Sequence, residues 1–372
     1  MGSTLRVGVV GAGAIATLAH IPNLQAIDGV VVTAISDINV EHARNVAQRF
    51  NIEHCFGETE ALVASPHVDA VVVCTPNHAH REAVETAARH GKPVFVEKPL
   101  ASNLRDGRAM VEACRAAGVP IQVGFNQRFW NQTEIAKQLI EDGVIGEVQS
   151  FRSIYSEGWD LYPAENTASR YDPKISGGGT IMDLAIHRID MARHLVGEIT
   201  AVVADLRRNV IPFPVDDTVH LLVEFANGAT GTISSDRFSP AVANATEIFG
   251  TEGTIYLSTE TINPFQSVPL AVFTKNELPP ILEQYFYPAQ WWDKPGRTWI
   301  CVTPPRDSSH FKEMLAWVNS VRNGTPPPVT GEDGLKALEV VAAAYKSHGE
   351  RAWVRLPLAE DNVEMPSFDE GV

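Results

Sequence analysis

The first 125 residues repeat one pattern: a short run of β-branched and apolar residues, a turn, then a helical stretch. The runs are LRVGVVG, VVTAISD, VDAVVVCT, PVFVEK and PIQVGF, with helical stretches between them over 14–26, 41–50, 78–90 and 103–117. Strands that are continuously apolar are buried on both faces, which requires a parallel sheet covered by helices above and below. The expected fold is therefore α/β, beginning with a Rossmann-type doubly wound parallel sheet. After Phe125 the strands change character. EVQSFRSIYSE, ITAVVADLR, DTVHLLVEF and ATGTISSD alternate polar with apolar residues, and Asn227-Gly228 supplies a hairpin turn between the last two. A C-terminal α/β domain with a large, open, mostly antiparallel sheet follows from that alternation, one face buried and the other available to solvent or a partner. A chain of 372 residues exceeds a single core, and the expected division is 1–125 and 126–372.

The first strand runs directly into Gly11-Ala12-Gly13-Ala14-Ile15-Ala16, a G-x-G-x-x-A loop that opens a helix. Gly11 permits the tight turn, Gly13 lets backbone N–H groups around Ala14 and Ile15 approach a pyrophosphate, and Ala16 keeps helix and sheet close. Asp37, 21 residues beyond Ala16, ends the second strand, where a carboxylate accepts hydrogen bonds from both adenosine ribose hydroxyls. Ile38 and Asn39 follow it with no arginine to meet a 2′-phosphate, so NAD is favoured over NADP. Thr75, Pro76 and Asn77 end the third long strand at the same carboxyl edge. Asn77 is read as a helix cap bordering the cofactor, with His80 beside it.

Acidic residues outnumber basic ones 45 to 30, a formal charge of −15 that repels nucleic acid and anionic membrane surfaces. No apolar run reaches the roughly 18 residues of a membrane span, and the N-terminal MGSTLRVGVV enters a strand without a signal-peptide pattern. The four cysteines, at 55, 74, 114 and 301, show no C-x-x-C spacing and read as reduced thiols of a cytoplasmic protein without a zinc cluster.

Two further segments carry chemistry. Glu97-Lys98-Pro99-Leu100 ends the fourth strand, placing an acid and a base at the ligand-binding edge, where Lys98 can hold the nicotinamide of the cofactor or stabilise a developing alkoxide. In GGGTIMDLAIHRID, glycines precede a helix that presents Asp183 and His187 on one face. A neutral imidazole can accept a hydroxyl proton as hydride leaves the same carbon, so His187 is the expected acid/base and Asp183 its orienting partner or a ligand of a neighbouring hydroxyl. Either Lys98 or His187 can take the proton, and the two can titrate together. No metal is expected, because two ligands at helical spacing lack a third.

The glycine loop, TPNHAH, VEKPLA, GFNQRF, SGGGTIMDLAIHRID and VDDTVHLLVEFANGATGTI, in this order, resemble the Gfo/Idh/MocA family, named for glucose-fructose oxidoreductase and inositol dehydrogenase. The resemblance covers nearly the whole chain. It implies an NAD-binding Rossmann domain over 1–125 and a substrate-binding and oligomerisation domain over 126–372, forming a homodimer or homotetramer through the C-terminal sheet. It also implies that Lys98, Asp183 and His187 are catalytic, that Glu97 lies at the cofactor, and that Asn126 and Arg128 line a substrate cleft. Trp159, Tyr155 and Lys174 precede the glycines, and an aromatic side chain there can stack on a sugar ring. The expected activity is an NAD-dependent sugar or polyol dehydrogenase that passes hydride from a secondary ring hydroxyl to nicotinamide C4. The alternatives are a redox-assisted glycosidase or epimerase that retains NAD, and a dinucleotide-binding regulator without catalysis.

Overall fold

The computed structural model describes residues 4–158, 170–239, 244–258, 268–288, 294, 296, 298–305, 307–363 and 368. Trp159, Trp291 and Trp292 lie outside the described residues. The chain divides into two compact units. Unit 1 runs to Asn126 and includes Asp172–Gly177 and Ser308–Leu338; unit 2 holds Gln127–Tyr171, Gly178–Asp307 and the chain from Glu339 onward. The segments at 172–177 and 308–338, which the sequence reading assigns to the second domain, thus fall in unit 1.

Unit 1 carries six parallel strands: β1 (Leu5–Val10), β2 (Val30–Ser36), β3 (His54–Phe56), β4 (Ala70–Val73), β5 (Val94–Glu97) and β6 (Ile121–Gly124), in the order β3-β2-β1-β4-β5-β6. All residues of β4 and β6 are buried, as strands sandwiched between helix layers require. Five strands were legible as apolar runs. The sixth, β3, is the three-residue edge segment HCF, too short and too polar at its flanks to give that signal. The helices begin and end at residues suited to the task. Asn39 and Asn103 cap Val40–Phe50 and Leu104–Ala117, each side chain accepting a backbone N–H, and Gly118 closes the latter in the left-handed conformation. The helix Ser309–Asn323 delivers Met314, Trp317 and Val318 into the core formed by Val7, Val9, Val72 and Phe95.

Unit 2 is built on nine strands: β7 (Val148–Ile154), β8 (Ile199–Arg207), β9 (Thr218–Phe225), β10 (Thr230–Asp236), β11 (Ala245–Gly250), β12 (Gly253–Ser258), β13 (Leu270–Thr274), β14 (Ile300–Val302) and β15 (Val354–Arg355). Their order is β14-β13-β12-β11-β7-β10-β9-β8-β15. Every pairing is antiparallel except β7 with β10. The hairpin at Asn227-Gly228 joins β9 to β10, with Gly228 at φ +87° as the turn demands. The long aromatic stretch 279–306 contributes a short helix, Pro280–Glu283, and the edge strand β14. No helix among the described residues is long and apolar enough to cross a membrane.

Candidate active site

At the carboxyl edge of the unit 1 sheet, Gly11 turns at φ +95°, and a Cβ there would stand 2.7 Å from the carbonyl oxygen of Cys74. Only glycine allows β1 and β4 to pass so closely. Gly13 has nothing within 4 Å of its missing Cβ, so its backbone faces open space, and Ala14 is exposed beside it with Ile15 half-buried. Asp37 stands at the same edge, half-buried, accepting the N–H groups of Ala12 (2.9 Å) and Asn39 (2.9 Å). The buried hydroxyls of Ser36 and Thr75, at the ends of β2 and β4, have no partner among the described residues. Open backbone above the second glycine, a carboxylate one strand away and two unmatched hydroxyls fit a dinucleotide: Gly13, Ala14 and Ile15 toward the pyrophosphate, Asp37 toward the ribose.

The next loops depart from expectation. Asn77 does not cap a helix. It starts the short turn Asn77–Ala79 behind Pro76, and its amide donates to the carbonyl of Ser176 (2.8 Å), tying this edge to the 172–177 segment of unit 1. His80 is fully buried. Its ring nitrogens face the carbonyl oxygens of Thr75 (2.9 Å), Pro99 (3.0 Å) and Leu100 (3.1 Å), and burial pushes its pKa down. The ring is enclosed and both nitrogens face carbonyl oxygens, so His80 braces the β4 and β5 loops.

Lys98, half-exposed, follows β5, and the Lys98-Pro99 peptide is cis. Glu97, at the end of β5, is held by neighbours within unit 1. One oxygen meets Nε2 of the buried His20 at 2.6 Å, and the other accepts the Lys98 N–H at 3.1 Å. Burial would raise the Glu97 pKa. The hydrogen bond from His20 and the charges of His20, Lys98 and His310 outweigh it and hold the carboxyl below the usual carboxylate range. Asn126 donates to the Ser309 hydroxyl (3.2 Å) within unit 1.

Of the three glycines, Gly177 belongs to unit 1 and Gly178 and Gly179 to unit 2, and each is explained by a close approach within its own unit. A Cβ on Gly177 (φ +79°) would run into the Ser102 carbonyl of unit 1. On Gly178 it would strike the Tyr345 hydroxyl, and on Gly179 the Asp216 carbonyl, both of unit 2. Asp216, fully buried, accepts the N–H groups of Gly179 (3.0 Å) and Ile181 (2.8 Å) and the hydroxyl of Tyr345 (2.9 Å). It pins the start of the helix, and sequence reasoning missed it, although VDD was visible as a motif. The helix does not begin as an ordinary α-helix. Ile181–Ala185 is a π turn, followed by Ile186–Leu195 as α-helix. Such bulges recur at functional positions.

Asp183 forms ion pairs with Arg170 and with the fully buried Arg237, both on Oδ2. Its negative charge is therefore anchored by two guanidinium groups that the sequence did not bring into the site. His187 is buried with Tyr155 edge-on to its ring, centroids 6.3 Å apart. Arg188, next in the chain, lies between the rings of Tyr155 (4.4 Å) and Trp130 (5.5 Å), and burial pushes its pKa down to about 10. Arg128 makes a bidentate pair with Asp190 at 2.8 and 2.6 Å, both side chains nearly inaccessible. Asp190 thus pairs across 62 residues, not locally, and Arg128 ties the Ile186–Leu195 helix to the segment that follows β6. Lys174 is exposed on the short helix Pro173–Ser176 of unit 1.

Comparison with known proteins matches both halves. Residues 5–125 match the oxidoreductase family with an NAD-binding Rossmann fold, and residues 133–256 match the GFO/IDH/MocA C-terminal domain. The chain belongs to the GFO/IDH/MocA family. It is similar to the myo-inositol 2-dehydrogenase of Thermotoga maritima, 32% identical over 95% of this chain and 98% of that one. The NAD-dependent scyllo-inositol 2-dehydrogenase of Bacillus subtilis is 31% identical over 92% and 94% of the two chains. A levoglucosan dehydrogenase solved in complex with NADH superposes with a TM-score of 0.82 at 28% identity, covering 95% of this chain and 99% of that one.

Proposed function

We propose that the chain oxidises a secondary ring hydroxyl of a sugar or cyclic polyol to a ketone, or runs the reverse, with Lys98, Asp183 and His187 as its catalytic groups. The chain is an NAD-dependent oxidoreductase acting on CH–OH groups. Bound NAD supplies the hydride acceptor, the nicotinamide C4. The chain's own residues supply the rest. Gly13, Ala14 and Ile15 orient the pyrophosphate, and Asp37 the adenosine ribose. The Lys98 ammonium polarises the substrate oxygen, and the His187 imidazole takes the hydroxyl proton. Asp183, fixed by Arg170 and Arg237, holds His187 or an adjacent substrate hydroxyl in line. The single observation that carries this reading is the half-buried, doubly anchored Asp183 four residues from the buried His187, on a helix whose start Asp216 pins, in a chain that also carries the dinucleotide loop. A stable assembly, a homodimer or homotetramer through the nine-stranded sheet, is part of the proposal and is tested by light scattering.

Turnover of inositols, aldoses and anhydrosugars by the purified protein, followed by NADH appearance, tests the reading. One mole of NADH per mole of ketone is the expected result. A second reading, in which NAD stays bound and is regenerated within one cycle, is favoured by the likeness to an aldose-aldose oxidoreductase of Caulobacter crescentus, 25% identical with a TM-score of 0.79. Product formed without net NADH would select it. The absence of any turnover combined with tight NADH binding would favour a regulator.

A further inference from the structure

The buried His20 and the largely enclosed Glu97, next to Lys98 in the chain, form a pair that the proposed reaction does not yet use. His20 ends a π turn, Ala16–His20, in the helical stretch after the glycine loop, and its ring is fully inaccessible. The ring stands edge-on to Phe95 (5.1 Å) and to His310 (6.2 Å). Nδ1 has no partner among the described residues, so the hydrogen bond the ring makes runs from Nε2–H to Glu97 at 2.6 Å. The opposite wall is equally tight. A Cβ on Gly124 of β6 would sit 3.2 Å from the Glu97 carboxylate. The charged and titratable groups that face this carboxylate are His20 from the first helix, Lys98 on its own loop and His310 from the helix Ser309–Asn323. Cys74 at the end of β4 and His80 also feel its charge.

An ionised carboxylate placed in such a site neutralises itself unless donors and a counter-charge hold it. Here His20 and the Lys98 backbone N–H are the donors, at 2.6 and 3.1 Å, and the Lys98 side chain, next in the chain, is the counter-charge, so the coupling runs both ways. We propose that His20 and Glu97 are positioning residues that keep an ionised carboxylate against Lys98, so that Lys98 remains an ammonium throughout the reaction and His187 receives the proton. Lys98 then acts as a fixed cation on the substrate oxygen and never as the base. The proposal rests on the reading of Lys98 as the group on that oxygen.

The ionisation of Lys98 is measured without any substrate, by competitive acetylation with acetic anhydride across pH in the NADH-bound protein, read by peptide mass spectrometry. In the native chain Lys98 is expected to titrate at or above about 10.4, the value of an ordinary lysine. Glu97→Gln and His20→Leu should each lower it by about 1 to 3 pH units, the scale of a lost opposite charge. His20→Gln, which keeps an N–H donor, should return it toward the native value. A native Lys98 that titrates below about 9, or one that does not move in Glu97→Gln, overturns the proposal, and the native measurement decides even where a variant fails to fold. The underlying reading is tested separately with Lys98→Met and myo-inositol: undiminished turnover with NADH binding retained would remove Lys98 from the reaction, whatever its ionisation.

Discussion

The residues of the site divide by what their neighbours leave them to do. His187 sits buried beside Tyr155 with the cationic Arg188 following it, an enclosed place for a base that must act away from bulk water. His187→Ala should lower turnover at least about a hundredfold, the low end of acid/base contributions, while NADH affinity stays near native. Steady-state rates alongside a fluorescence titration of NADH separate these effects, and native turnover would exclude the imidazole. The role proposed for Asp37 is in binding instead. Its carboxylate already orders the loop through the Ala12 and Asn39 N–H groups, and its loss removes a charged hydrogen-bond acceptor for the ribose. Asp37→Ala should weaken NADH binding by about 1.5 to 3 kcal/mol, as calorimetry can measure; unchanged affinity would refute the ribose assignment.

Among the elements, the helix that carries Asp183 and His187 is held at several points, and each anchor makes a distinguishable prediction. At its start, Gly179 packs against the Asp216 backbone with no room for a methyl group. Gly179→Ala should cost about 1 to 3 kcal/mol of unfolding free energy, or more if the helix start shifts, and denaturant titration reads this directly. Along its length, Arg128 and Asp190 form a nearly inaccessible ion pair. Removing one partner leaves an uncompensated buried charge, so Asp190→Asn should destabilise by about 3 to 5 kcal/mol. Arg128→Met probes the role of the arginine itself. A lowered melting temperature with little change in KM is the outcome for a structural anchor; a raised KM at native stability would return Arg128 to the substrate. The π turn at Ile181–Ala185 lies between these anchors and sets where Asp183 meets Arg170 and Arg237.

At the level of the whole molecule, stability against acid reports the carboxylates whose pKa the fold lowers. The folded-state pKa of Glu97 lies below its ordinary value, so its contribution is present above about pH 4.3 and is lost as pH falls through the folded value. Glu97→Gln should therefore flatten the acid limb of melting temperature against pH below about 4.3; an acid limb identical to the native one would contradict the shift. What the sequence determined by itself is the part governed by local periodicity and short-range chain geometry. Continuous apolar runs encode the parallel sheet, alternation encodes the antiparallel one, and Gly11, Gly13 and Asp37 are legible because the phosphate-binding turn is a local backbone shape. The glycines at 177–179 announced a close approach, but not to what. Their contacts with Ser102, Tyr345 and Asp216, the arginines on Asp183, the Arg128–Asp190 pair and the His20–Glu97 pair join residues distant in the chain. Only the tertiary structure decided these, because a side chain's charge and hydrogen bonds are fixed by the neighbours that packing supplies, and no local pattern in the sequence records those neighbours.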